Sequence, residues 1–395
     1  MTARARAGRT ALAPNRARRP AELRAMVQRF DARIRLRVAA LVSSHAYFED
    51  LMWSFPGLLH ALAVGDPASA ATRAAAQLVR AGAPLRAIAA LLAVPVWTRA
   101  LPPEAFGTAR MRVPDTAEFA HGIANHLPKS PEVAERWLAF VAFAAKADGD
   151  DFALWTAREF DQIGPGAEPE NLAGLALFAW FSARAHLVAG CVIGKPWNGK
   201  QSLGEAADQA RCWIDRLDMP LYRAPYIVAT APVAFIDGFD FIQLGRAEDV
   251  FEEADAMCNC LADYAVTLST GRTQVWGMRR NGERAASLEI VFHEAAHGLP
   301  ELVQIKAENN APVAQDVLHA AYRWLLSWPL AAEPLPFRDG LADDGVYRAL
   351  MKPYWQAKGL VPWLPLGANG APLDDARRGL WRLTDMRAAR RRRRV

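Results

Sequence analysis

Cysteine is scarce in this chain. Four residues, Cys191, Cys212, Cys258 and Cys260, stand at irregular spacing among 395, which argues against a disulfide framework and leaves no second pair to complete a four-thiolate zinc site. The basic N-terminus lacks a following apolar h-region, so no signal peptide is expected, and reduced thiols in a cytoplasm fit best. No long apolar run is free of charge either. Residues 172–194 are long enough to span a bilayer, but Arg184 and His186 fall near the middle. A buried helix in a water-soluble core is therefore expected there, and no transmembrane segment. Neither a Gly-x-Gly-x-x-Gly fingerprint nor a P-loop is present, so nucleotide binding by those routes is unsupported and no cofactor is expected. No fixed period marks a repeat protein.

What is present is enough for a large folded body: 52% hydrophobic residues, including 13 tryptophans, in a length that predicts two or three domains. The net charge of +5 conceals an asymmetry. Residues 1–40 carry eleven Arg against Glu22 and Asp31, or +9, and residues 377–395 carry nine Arg against Asp385, or +8. The remainder is then 5 − 17 = −12. An acidic body with arginine-rich ends points to polyanion contact through Arg16, Arg18 and Arg19 at one end and Arg390, Arg391, Arg392, Arg393 and Arg394 at the other. The bland reading is that the ends are solvated, fold back on the acidic body, or touch anionic lipid.

Hydrophobic spacing predicts a flexible basic arm over 1–19 and an α-helical domain over 20–224. Its helices are expected near 20–42, 46–63, 70–81, 84–93, 116–126, 131–147, 151–162, 171–191 and 202–216. Near Pro220 the texture changes. Tyr226-Ile227-Val228-Ala229 and Phe239-Asp240-Phe241-Ile242 read as strands, followed by a helix over 246–263 and strands near 272–279, 286–292 and 301–307. Asn281-Gly282 signals a hairpin between the first two of these last three. A helix over 312–327 closes an α+β domain of 225–329 with an antiparallel sheet. A Pro-containing tail, 330–395, carries a short helix near 374–386 and the terminal Arg run. The fold class is α+β, with an α-helical N-terminal region.

Period-two alternation places Leu288, Ile290 and Phe292 on one face of their strand and Glu289 and Val291 on the other. In the next strand Val303, Ile305 and Ala307 point inward and Leu302, Gln304 and Lys306 outward. A hairpin then sets Glu289 opposite Gln304 or Lys306.

The order Met257-Cys258-Asn259-Cys260, Tyr264, Ser287-Leu288-Glu289, Gln304-Ile305-Lys306 and Asn310 resembles the PcfJ-like family of conjugative plasmids and bacterial genomes. That family's pattern runs Met-x-His-Cys, a Tyr four residues on, Thr-Leu-Glu, then Gln-x-Arg-Gly-x-x-Asn. The resemblance covers residues 241–328. It implies an accessory protein of bacterial mobile DNA that binds nucleic acid or a nucleoprotein partner, with a site at Cys260, Tyr264, Glu289, Gln304, Lys306 and Asn310. The family's His is Asn259 here and its Arg-Gly is Lys306-Ala307, so an adjacent Cys–His nucleophile pair is absent. Two readings of the polar face stay open. One is an enzyme or ligand site with Glu289 as base or acceptor and Cys260 as nucleophile. The other is a solvated face with a cross-strand ion pair.

His293-Glu294-Ala295-Ala296-His297 matches the zinc-peptidase signature, in which two His one helical turn apart hold Zn²⁺ and the Glu activates water. Against this, the motif lies where a hairpin is expected, and Gly298 and Pro300 curtail a helix. A hairpin connection is the favoured reading, and no metal is expected. The other histidines, His45, His60, His121, His126, His186 and His319, are scattered on helical stretches.

Overall fold

The computed structural model describes residues 20–221, 233–264, 267–268, 271–292, 300–328, 344–358 and 373–385. The fold is α+β: a helical N-terminal region precedes a five-stranded antiparallel sheet. The chain divides into two compact units. One takes in residues 1–180, 198–204 and 379–395, the other 181–197 and 205–378. The second unit thus includes residues 181–197 and 205–224 of the stretch expected to form the helical domain.

In the first unit, helices Arg35–Ser44, Ala46–Ser54, Pro56–Val64, Ala70–Arg80 and Leu85–Leu91 close around a core that includes Phe30, Phe48, Phe55, Leu58, Val79 and Ile88. The single helix expected over 46–63 is two. Phe55 leaves helical geometry at φ −154°, ψ 74°, because the ring of Pro56 disfavours the helical region for the residue before it. Pro56 then occupies the first turn of the next helix, where no backbone donor is needed.

The apolar stretch expected as one helix over 171–191 is also divided. Helix Ala173–Ser182 ends before Arg184, and a separate turn, Val188–Cys191, follows. Between them the exposed residues Ala183, Ala185 and His186 break the buried face. Gly190 packs so closely that an added Cβ would collide with the Arg184 carbonyl oxygen. Among the described residues no helix is long and apolar enough to cross a membrane.

The sheet of the second unit is a meander, β1 (Phe235–Ile236), β2 (Phe239–Gln243), β3 (Thr273–Arg280), β4 (Glu283–Phe292) and β5 (Pro300–Lys306), each antiparallel to the next. Strand geometry agrees with the aromatic and β-branched run at Phe239–Ile242 and with the three expected strands. Residues 226–229 lie outside the described residues. Asn281 and Gly282, at φ 53° and 84°, make the two-residue turn of the β3–β4 hairpin. Asp237-Gly238, at φ 52° and 81°, repeats that turn between β1 and β2, matching the type I′ preference for positive φ at both positions.

One face of the sheet carries Phe239, Phe241, Trp276, Met278, Leu288, Ile290 and Phe292, and helix Gln315–Leu326 covers it with Val317, Ala320, Ala321 and Trp324. Phe241 stacks on Trp324 at 4.6 Å between ring centroids, and Trp276 meets the same ring edge-on at 4.9 Å. Such aromatic pairs contribute about 0.5–1.5 kcal/mol each beyond burial. The opposite face bears Ser287, Glu289 and Gln304 and meets helix Ala247–Met257 through Glu253. Polar residues therefore sit between the sheet and a second helix.

Strict alternation fails at one place in β5. Glu289 pairs with Gln304, but Ile290 pairs with Leu302, so Val303 is a bulge. The extra residue turns Val303 out to 52% exposure and brings Leu302 onto the aromatic core with Ile305. The expectation that Val303 points inward and Leu302 outward is corrected accordingly.

Candidate functional site

The site begins where a helix stops. The expected helix over 246–263 ends at Met257, because Cys258 takes the left-handed conformation, φ 48° and ψ 49°. The Asn259 amide then donates to the Ala254 carbonyl at 3.1 Å, the 6→1 bond of a Schellman-type cap. The Asn259 side chain fixes the next turn. Its oxygen accepts from the Leu261 amide at 3.2 Å, and its Nδ2 donates to Ser287 Oγ on β4 at 3.3 Å. A short 3₁₀ turn, Leu261–Tyr264, continues from there. A break and a pinned turn thus deliver Cys260 and Tyr264 to the polar face of the sheet, which a continuous helix would not have required.

At that face Tyr264 donates its hydroxyl to Glu289 Oε2 at 2.9 Å, and Gln304 Nε2 donates to the same oxygen at 2.7 Å and also to the Tyr264 oxygen. The three side chains form a closed triangle across β4, β5 and the 3₁₀ turn. Burial first, and then the Glu289 carboxylate it serves, push the Tyr264 phenol well above its ordinary value. Tyr264 is therefore held as a neutral donor. Glu289 Oε1 has no hydrogen-bond partner among the described residues, nor does the Lys306 ammonium an ion pair.

These groups line one cleft together with Asn259, Cys260, Leu261, Ser287, Leu288 and Asn310. Its cavity is about 20 Å³, room for a single water-sized group. The thiol of Cys260 is exposed at this cleft. Asn309 and Asn310 follow β5 with φ 57° and 58°, a left-handed pair that asparagine tolerates better than most residues. All six residues singled out in the sequence, Cys260, Tyr264, Glu289, Gln304, Lys306 and Asn310, line this one cleft.

Behind the cleft lies a second polar layer that sequence spacing did not single out. Glu253, 1% exposed, accepts from Ser287 Oγ at 3.0 Å, from both terminal nitrogens of Arg279, and from Arg284 Nε at 3.1 Å. Gly277 makes space for this: a Cβ there would come within 2.6 Å of the Arg279 guanidinium. Ser287 and Asn259 connect this ion-pair cluster to the turn that carries Cys260. A signal existed in the four-residue step from Glu253 to Met257 on the helix, which predicts a side chain facing the sheet.

The histidine motif His293, Glu294 and His297 lies outside the described residues, as do Arg16, Arg18, Arg19 and Arg390, Arg391, Arg392, Arg393 and Arg394. The flanking ends Phe292 and Pro300 are paired strand partners, so 293–299 joins β4 to β5. Among the described residues no group of three or more His, Cys, Asp or Glu is placed to hold a metal ion. No protein-family model, no curated protein and no solved structure matches this chain.

Proposed function

We propose that the chain is a PcfJ-like protein of bacterial mobile DNA, working in the cytoplasm, that holds nucleic acid. Its arginine-rich ends supply salt-sensitive contacts to phosphates, and the Tyr264–Glu289–Gln304 cleft takes a polar group of the bound strand. The observation that carries this reading is the convergence of the six motif residues, from a helix cap, two strands and a turn, into one cleft. A merely solvated face would not need a phenol and an amide both committed to one carboxylate oxygen. Phosphate contact through Arg releases counterions, so retention falls steeply with salt and shows little sequence preference by itself.

The test is thiol footprinting. Full-length protein is mixed with a single-stranded DNA oligonucleotide at low salt and then treated with a maleimide. Bound strand shields Cys260, while the exposed thiols of Cys191 and Cys212 act as internal controls. Removing residues 1–19 and 387–395 abolishes retention of the strand. Retention with no shielding of Cys260 overturns the role given to the cleft; no retention by the full chain overturns the nucleic-acid reading.

A second reading, an enzyme using the same cleft, draws on the placement of Cys260 in one cleft with Glu289 and Lys306. There Cys260 is the nucleophile and Glu289 the base. It requires strand products that appear with the wild-type chain and are lost in Cys260→Ser.

A further inference from the structure

Resting on the nucleic-acid reading, the cleft's unused polar atoms narrow what it accepts. Glu289 Oε2 is occupied by Tyr264 and Gln304, and its partner oxygen, Oε1, has no partner among the described residues and can accept one more hydrogen bond. Lys306, which also lines the cleft, is left to donate. The complement of this pair is a group that offers a donor next to an acceptor. The small volume adds a second restriction. A cavity of about 20 Å³ admits a protruding atom but not a ring, so a base enters by an exocyclic substituent and its ring stays at the mouth.

Among nucleobase substituents, an amine is the protruding donor, and in cytosine, adenine and guanine a ring nitrogen that accepts lies beside it. Thymine and uracil present the reverse order, a carbonyl in place of the amine and an N–H in place of the accepting ring nitrogen, so the protruding atom is an acceptor. A carbonyl aimed at Glu289 Oε1 would set two acceptors against each other with no proton between them, a mismatch in a partly buried site. Such an edge is accessible in single strands, whose bases can be turned outward.

We infer that the cleft binds the exocyclic amine of an unpaired base, with Glu289 Oε1 accepting from the amine and Lys306 donating to the neighbouring ring nitrogen. The site then discriminates amine-bearing bases from thymine and uracil. The arginine-rich ends add affinity without contributing to that choice.

The experiment compares two single-stranded DNA probes of equal length, all cytosine and all thymine, at neutral pH and low salt. Their phosphate charge is identical, and at the reading edge cytosine's amine and accepting N3 are replaced by thymine's carbonyl and N3–H donor. The cytosine strand is expected to bind about tenfold tighter, the discrimination typical of a good base contact, and to shield Cys260 where the thymine strand does not. Glu289→Gln, which keeps the side chain's shape, brings the two affinities together while retaining the salt-dependent part. Lys306→Ala provides a second variant outside the Tyr264–Glu289–Gln304 triangle and reduces the preference.

Equal affinities for the two strands in the wild-type chain, or a preference untouched by both substitutions, overturn the inference while nucleic-acid binding itself stands. Retention of neither strand overturns the nucleic-acid reading and this inference with it.

Discussion

Cys258 adopts a left-handed backbone without being glycine, a conformation that costs an L-residue roughly 1 kcal/mol or more. Its thiol is exposed and rests against the Asp255 carbonyl, so little packing offsets that strain. Cys258→Gly is expected to raise stability by about 0.5–1 kcal/mol, read as a later urea midpoint with an unchanged slope; a loss of stability would show the thiol to be structural. Two residues on, Cys260 lines the cleft, so the same substitution leaves strand shielding intact. Tyr264 makes a separate prediction. Its phenol is raised above the ordinary value by burial and by Glu289, and that of Tyr347 is raised to about 12 by burial and by Asp375. A group whose folded value is raised contributes stability below its unfolded value, about 10 for tyrosine, and that contribution is lost as pH climbs toward the folded value. Ultraviolet titration should therefore show Tyr264 and Tyr347 ionising late. Tyr264→Phe should remove the later step and weaken the high-alkaline loss of stability. An unchanged late step would mean that Tyr264 is not the buried donor described.

The strands were the most legible elements. β-Branched alternation, the Asn281-Gly282 dipeptide and the pairing of Glu289 with Gln304 follow from a period of two and from turn chemistry that accepts positive φ. The convergence of the cleft could be anticipated only in part, because it depends on features with weak local signals. The left-handed cap at Cys258 has no glycine to announce it, and the bulge at Val303 changes which face Leu302 takes without altering composition. The turn Asp237-Gly238 has the right dipeptide, but the strand before it is only two residues long and too short to show alternation. The helix breaks at Phe55 and Arg184 had local signals, Pro56 and the polar pair Arg184 and His186, but the apolar spacing on either side ran on in phase. Least visible was Glu253, whose partners come from distant strand positions. Removing one member of a buried ion pair leaves its partner's charge uncompensated, so Glu253→Gln is expected to destabilise by about 3 kcal/mol. Chemical denaturation measures this; a change under about 0.5 kcal/mol, the size ordinary for surface sites, would show that the cluster is not needed to hold β3 and β4 against helix Ala247–Met257.

At the level of the whole chain, charge and fold are distributed differently. The terminal stretches hold +17 against −12 for the rest, yet the C-terminal stretch also contributes to packing. Helix Asp374–Thr384 buries Leu380 and Leu383, and the Gly164 amide donates to the Leu383 carbonyl at 2.7 Å. A cut at 387 is therefore expected to leave the melting temperature nearly unchanged. A cut at 372 also removes both leucines and should lower stability by about 5 kcal/mol or more; equal melting of the two truncated chains would contradict this. The first unit is assembled from residues 1–180, 198–204 and 379–395, and its closing hydrogen bond links positions 164 and 383. Chains emerge from the ribosome N-terminus first and at a limited rate. Most of this unit is translated early, but it waits for the segment that begins at residue 379 before it can finish folding. During that interval the surface around Gly164 stays uncovered and is the place where a chaperone would find a nascent chain to hold.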